Sequence, residues 1–182
     1  MPIAIVSALL AAALGAATPS ATPADEQLRQ QIDAYLGSID TPIPAARWKA
    51  LGAGAPAILA AIARDARELP SRRTKAVEAL GVVGGGEAAQ VARELSGKDA
   101  SFALRAAAVE ALGRLLPPSE LEAALAPVLK GAAQARVRAV AAETLARHGP
   151  KDACATVRAQ VDAEAPNDRA RYHRALTACE KR

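Results

Sequence analysis

Apolar residues recur along this chain at helical intervals, and one stretch of that pattern returns five times. Its clearest form is an Arg, two residues, an Ala, two residues, a small residue and a Leu. It reads Arg73-Thr-Lys-Ala76-Val-Glu-Ala79-Leu80, then Arg105-Ala-Ala-Ala108-Val-Glu-Ala111-Leu112. A third copy is Arg138-Ala-Val-Ala141-Ala-Glu-Thr144-Leu145, a fourth is Arg169-Ala-Arg-Tyr172-His-Arg-Ala175-Leu176, and a degenerate copy without the Arg ends in Ala50-Leu51. The closing leucines at 51, 80, 112, 145 and 176 are 29, 32, 33 and 31 residues apart, which is the mark of an internal repeat.

Within each copy the residues four, seven and eight places before the leucine share its helical face. Those five and two before it, and two after it, point the other way. A second apolar stripe lies between copies: Leu28-Ile32-Leu36, Ile58-Leu59-Ile62, Val91-Leu95, Leu121-Leu125-Val128 and Cys154-Val157-Val161. The pattern therefore predicts first helices over 25–37, 55–68, 86–96, 119–131 and 150–163. Second helices follow over 44–53, 71–83, 102–116, 135–148 and 167–180. Most prolines fall in turns or first turns, where the missing N–H costs nothing, and Gly37, Gly131 and Gly149 stand at helix ends. Ser119 with Glu122 has the form of a capping box, and Pro127, inside a helix, predicts a kink. A single hairpin cannot bury its own stripe, so neighbours must stack. The expectation is an all-α fold, a short right-handed α-solenoid of about five helical hairpins over residues 25–182, with the second helices lining one face.

Composition narrows the alternatives. Hydrophobic residues make up 51% of the 182 and aromatics only 2%, which excludes a β-sandwich or barrel built on aromatic and β-branched residues. Roughly a quarter of the chain is alanine, so packed helices can approach toward about 8 Å. Net charge is 23 − 19 = +4, with the basic excess gathered in Arg169, Arg171, Arg174, Lys181 and Arg182. Without aromatics to stack bases, that end reads as a solvated face, and no nucleic-acid partner is expected.

Residues 1–24 contain no Lys, Arg, Asp or Glu. The apolar run 3–14 has the length of a signal-peptide core and is too short to span a bilayer. Small residues then allow cleavage near Ala17 or Ala24. The expected organisation is a signal peptide and flexible lead over 1–24, then the helical domain, in a periplasmic or extracellular protein. Membrane attachment is expected only if the leader stays uncleaved.

The repeat resembles the HEAT family, in particular short HEAT-like repeats of the phycobilisome-lyase type. Residues 105–113 and 73–81 match that family's Arg-x-x-Ala-x-x-Ala-Leu-Gly second helix, and 55–59 are similar to its first helix. The resemblance implies a structural ladder in which an acid in a hairpin turn bonds the Arg of a neighbouring repeat. Asp99 fits that role six residues before Arg105, Glu68 and Glu164 lie near equivalent places, and the turn before Arg138 has no acid. The ladder residues are thus Arg73, Asp99, Arg105, Arg138 and Arg169.

Little else suggests chemistry. Cys154 and Cys179 lie 12 and 13 residues from a turn near 166, on antiparallel helices, and should face each other. In an exported protein that spacing points to a disulfide, the alternative being two buried thiols. His148 and His173 have no ligand or carboxylate at metal spacing, no Ser has a His partner, and Gly84-Gly85-Gly86 reads as an interhelical turn. No cofactor, metal or small-molecule substrate is expected. The outward positions of the second helices carry Lys75, Glu78, Glu110, Arg114, Glu143, Arg147, Arg171 and Arg174, either a self-paired solvated face or a strip that selects a partner by charge. The expected role is a non-catalytic protein–protein interaction module or scaffold. A HEAT-like lyase, a nucleic-acid-acting protein and a membrane-tethered accessory subunit are the alternatives.

Overall fold

Thr22 opens the first helix of the structure, a computed structural model that describes residues 22–38, 41–98 and 101–181. Among the described residues every regular element is helical. The elements are α1 (Pro23–Gly37), α2 (Ala45–Lys49), α3 (Ala55–Arg64), α4 (Pro70–Val83), α5 (Gly86–Lys98) and α6 (Phe102–Leu115). They continue with α7 (Pro118–Gly131), α8 (Ala135–His148), α9 (Ala153–Ala163), α10 (Pro166–Arg169), a 3-10 turn (Ala170–Tyr172) and α11 (His173–Glu180).

The boundaries differ from the periodicity where side chains intervene. The Thr22 hydroxyl accepts from the Asp25 backbone N–H while the Asp25 carboxylate accepts from the Thr22 N–H, so α1 starts at Pro23. Thr22, Pro23 and Ala24 are therefore a helix start, not a flexible lead; residues 1–21 lie outside the described residues. The first second-helix shrinks to α2, followed by Gly52 at φ 79°, a conformation that favours glycine. Helix α3 stops at Arg64 because the Asp65 carboxylate takes the Arg67 N–H at 2.9 Å, turning the chain. The expected 167–180 helix tightens into a 3-10 turn at Tyr172.

One local expectation fails. Ser119 does not cap α7: Pro118 fixes the first helical position one residue earlier, leaving Ser119 inside the helix. The Glu122 carboxylate instead accepts from the Thr156 hydroxyl of α9 at 2.6 Å. Pro127 lies inside α7. Both Pro127 and Ala123, whose carbonyl loses its donor, are exposed, so water can satisfy that carbonyl.

Consecutive helices pack as pairs, α3 with α4, α5 with α6 and α7 with α8, while α9 packs on α8 and α11. Second helices also touch in succession, α4 with α6, α6 with α8 and α8 with α11. First helices do the same, α1 with α3, α3 with α5, α5 with α7 and α7 with α9. Leu80, Leu112 and Leu145 are fully buried, whereas Leu51 and Leu176, in the outermost copies, are only half-buried. Polar links bridge the first-helix row: Arg64 reaches Glu87 and Glu94 of α5, and Arg93 reaches Glu120 of α7. Exposed pairs of this kind add little stability.

Small residues set the spacing of the second helices. A Cβ built on Gly113 would lie 2.5 Å from Thr144 Cγ2 and 3.0 Å from His148 Cδ2, both on α8. One on Gly81 would meet Ala111 of α6 at 3.1 Å. Gly113→Ala must push α6 from α8, and Thr144, buried and β-branched, has little freedom to rotate away. We expect a net destabilisation of about 1–2 kcal/mol despite the helix-propensity gain. Gly81→Ala should cost less, and urea denaturation of the two variants measures the difference.

Candidate functional site

The recurring Arg folds back onto the turn of its own hairpin. Arg73 Nε donates to the Ala63 carbonyl at 3.0 Å and Arg105 Nε to that of Ser96 at 3.2 Å. Arg138 Nη1 donates to Ala132 at 2.7 Å, and Arg169 reaches the carbonyls of Glu164 and Asp162 at 3.1 and 3.0 Å. These carbonyls close the preceding helix, where orphan acceptors and the negative end of the helix dipole favour a guanidinium.

The acid-to-Arg rung appears between Arg138 and Glu164, 26 residues apart. Arg138 donates through Nε and Nη2 to the two Glu164 oxygens at 2.6 and 2.5 Å. Glu164 is 5% exposed and also accepts from Gln160 at 2.8 Å and from the Tyr172 hydroxyl at 2.5 Å. The hydrogen-bonded guanidinium outweighs burial and holds the Glu164 carboxyl down at about 2. The same pairing raises Arg138, while burial, followed by the Glu164 carboxylate, pushes the Tyr172 hydroxyl up. Glu68, an expected near-equivalent, instead pairs with Arg72 at 3.0 Å, and Arg72 also grips Asp33 of α1 at 2.7 Å. Asp99 lies outside the described residues.

Cys154 and Cys179 are bonded, with Cα atoms 5.7 Å apart, and join α9 to α11. Both are buried.

Three clefts follow the second helices. The largest, about 500 Å³, lies between α1, α2, α4 and α6 and is lined by Trp48, Lys75, Glu78, Val82, Glu110 and Arg114 among others. At its end Tyr35 and Trp48 meet edge to face, with ring centroids 5.2 Å apart. The second, about 260 Å³, shares Glu110 and Arg114 with the first and adds Glu143, Arg147 and Arg174. The third, about 360 Å³, shares Arg147 and Arg174 with the second and runs to Lys181. The three clefts thus run in series along the second helices, a segmented trough.

Seven of the eight outward charged residues line that trough. Arg171 does not; it pairs with Asp168 at 2.9 Å. Lys75 Nζ donates to the backbone carbonyls of Leu36, at 3.1 Å, and Ser38, closing α1. Glu110 pairs with Arg114 at 3.6 Å and Glu143 with Arg147 at 2.6 Å. Desolvation in the cleft, reinforced by the Glu110 charge, raises the Glu78 carboxyl above its usual range. His148 and His173 sit on the trough wall, and among the described residues no group of three His, Cys, Asp or Glu could hold a metal ion.

No family model, characterised protein or solved structure matches the chain. The residues that periodicity alone did not reveal are Tyr172, Gln160, Tyr35 and Trp48. Tyr172 stood in plain view, occupying the packed position that is Ala76, Ala108 and Ala141 in other copies.

Because Glu164 titrates lower folded than its usual 4.5, its pairing stabilises the fold above that usual value and is lost as pH falls toward about 2. Glu164→Gln should flatten the acid limb of a stability–pH curve below about pH 5, and should cost about 3 kcal/mol at neutral pH by stranding Arg138. Urea titrations at stepped pH read both effects. Closing the 25-residue separation between the cysteines should be worth about 3 kcal/mol, so reduction should lower the urea midpoint accordingly.

Proposed function

We propose that the chain is an exported, non-catalytic repeat protein, a short right-handed α-solenoid that binds another protein along the face of its second helices. The successive contacts α4–α6–α8–α11 and α1–α3–α5–α7–α9 support the stacked reading, since in a solenoid each unit touches chiefly its neighbours. The disulfide supports an oxidising compartment. Cleavage after Ala17 is favoured over Ala24, because the latter would remove the Thr22 cap and the first turn of α1.

The observation that carries the binding role is the series of adjoining clefts along the second helices. Extended surfaces of this type suit a polypeptide better than a small molecule enclosed on all sides. Photo-crosslinking in cells tests it. A crosslinker at Val82 or Val140, half-buried in the trough wall, should trap a protein partner, whereas one at exposed Ala123 or Ala155 on the first helices should not. Crosslinks confined to the first helices would contradict the assignment. The mass of the secreted or periplasmic form should match a chain beginning at Thr18; an intact cytosolic chain would remove export.

A further inference from the structure

Eight charged residues were expected to point outward from the second helices, and their partners sort them. Lys75 closes α1, Glu110–Arg114 and Glu143–Arg147 neutralise each other, and Arg171 holds Asp168. Glu78 and Arg174 alone among the eight have no hydrogen bond or ion pair within the described residues. They lie in different clefts, Glu78 in the one against α1 and α2, and Arg174 where the two C-terminal clefts meet.

A charge already paired inside the protein gains little from a ligand, since the new contact must first displace the old one. Lys75 and Arg114 lie within electrostatic reach of Glu78, but neither bonds it, so its carboxylate can take a ligand cation without displacing a direct partner. At the Glu78 end Trp48 and Val82 share the cleft wall, which suits the methylene stem of a Lys or Arg whose head reaches the carboxylate. At the Arg174 end Lys181 adds a second cation beside Thr177 and Ala178. From α4 through α6 and α8 to α11 there are three helix-to-helix steps of roughly 10 Å each. An extended chain covers that span of roughly 30 Å with about nine residues.

We infer that the trough takes an extended polypeptide segment presenting a Lys or Arg to Glu78 and, about nine residues away, a carboxylate to Arg174. The inference rests on the reading of the second-helix face as a protein-binding surface, and it adds the chemistry and polarity of the bound segment. A nucleic acid meets the wrong sign at Glu78.

The test is selection of a displayed random peptide library, about twelve residues long, on the oxidised full-length protein. Enriched peptides should carry a basic residue and an acidic residue about nine apart, with apolar residues near the basic one. Glu78→Gln and Arg174→Gln should each weaken an enriched peptide roughly tenfold in fluorescence anisotropy. Glu78→Lys should re-select peptides acidic at both ends. Peptides that tolerate both glutamine variants but are lost on Val82→Glu would overturn the charge assignment and leave the binding face standing. Peptides indifferent to all these variants, or no enrichment at all, would remove both. Oligonucleotide binding abolished by Arg174→Gln but unaffected by Glu78→Gln would replace the peptide with a nucleic acid.

Discussion

The close approach of successive second helices is the constraint on which the rest of this structure depends. It exists because small residues stand where the helices meet: Gly81 against Ala111, and Gly113 against Thr144 and His148. Helices without bulk at the contact bury their leucines in their neighbours, so Leu80, Leu112 and Leu145 vanish from solvent. On the proposed solenoid reading, burial of this kind is a sum over nearest neighbours and weakens wherever a neighbour is missing. The half-exposed Leu51 and Leu176 mark those places.

Other forces are concentrated where hydrophobic contact thins. At the C-terminal end the Cys154–Cys179 bond ties α11 to α9, and buried Glu164 and Tyr172, with half-buried Arg138 and Gln160, tie that last unit back to α8. At the other end Trp48 packs edge-on to Tyr35, Lys75 closes α1, and Arg72 holds Asp33. The repeat arginines bond carbonyls at the ends of α3, α5, α7 and α9. On the proposed stacked reading, helices tied in this way present their clefts side by side for a partner.

Helix existence was legible because small residues and Leu recur at helical spacing, and the cysteine pairing was legible because Cys154 and Cys179 sit 12 and 13 residues from one turn. Bonds to backbone leave no mark in a sequence. Four arginines advertised a repeat, yet nothing in the residues showed that Ala63, Ser96, Ala132 and Asp162 would receive them. Caps were misjudged for a related reason: Ser119-x-x-Glu122 fits the pattern, but Pro118 had already set the start of α7, while Thr22-x-x-Asp25 makes the real box. Tyr172 was the missed clue, a hydroxyl at a packed position that had to find a buried partner and found Glu164. Which charges of the trough pair is set by the folded geometry and not by their spacing in the sequence.

Residue-resolved hydrogen exchange of the oxidised protein tests the nearest-neighbour account most directly. Amides of α4, α6 and α8 should exchange slowest and at a common rate, with protection falling toward α1 and α2 on one side and α11 on the other. Uniform protection from end to end, or slowest exchange in the terminal elements, would contradict it.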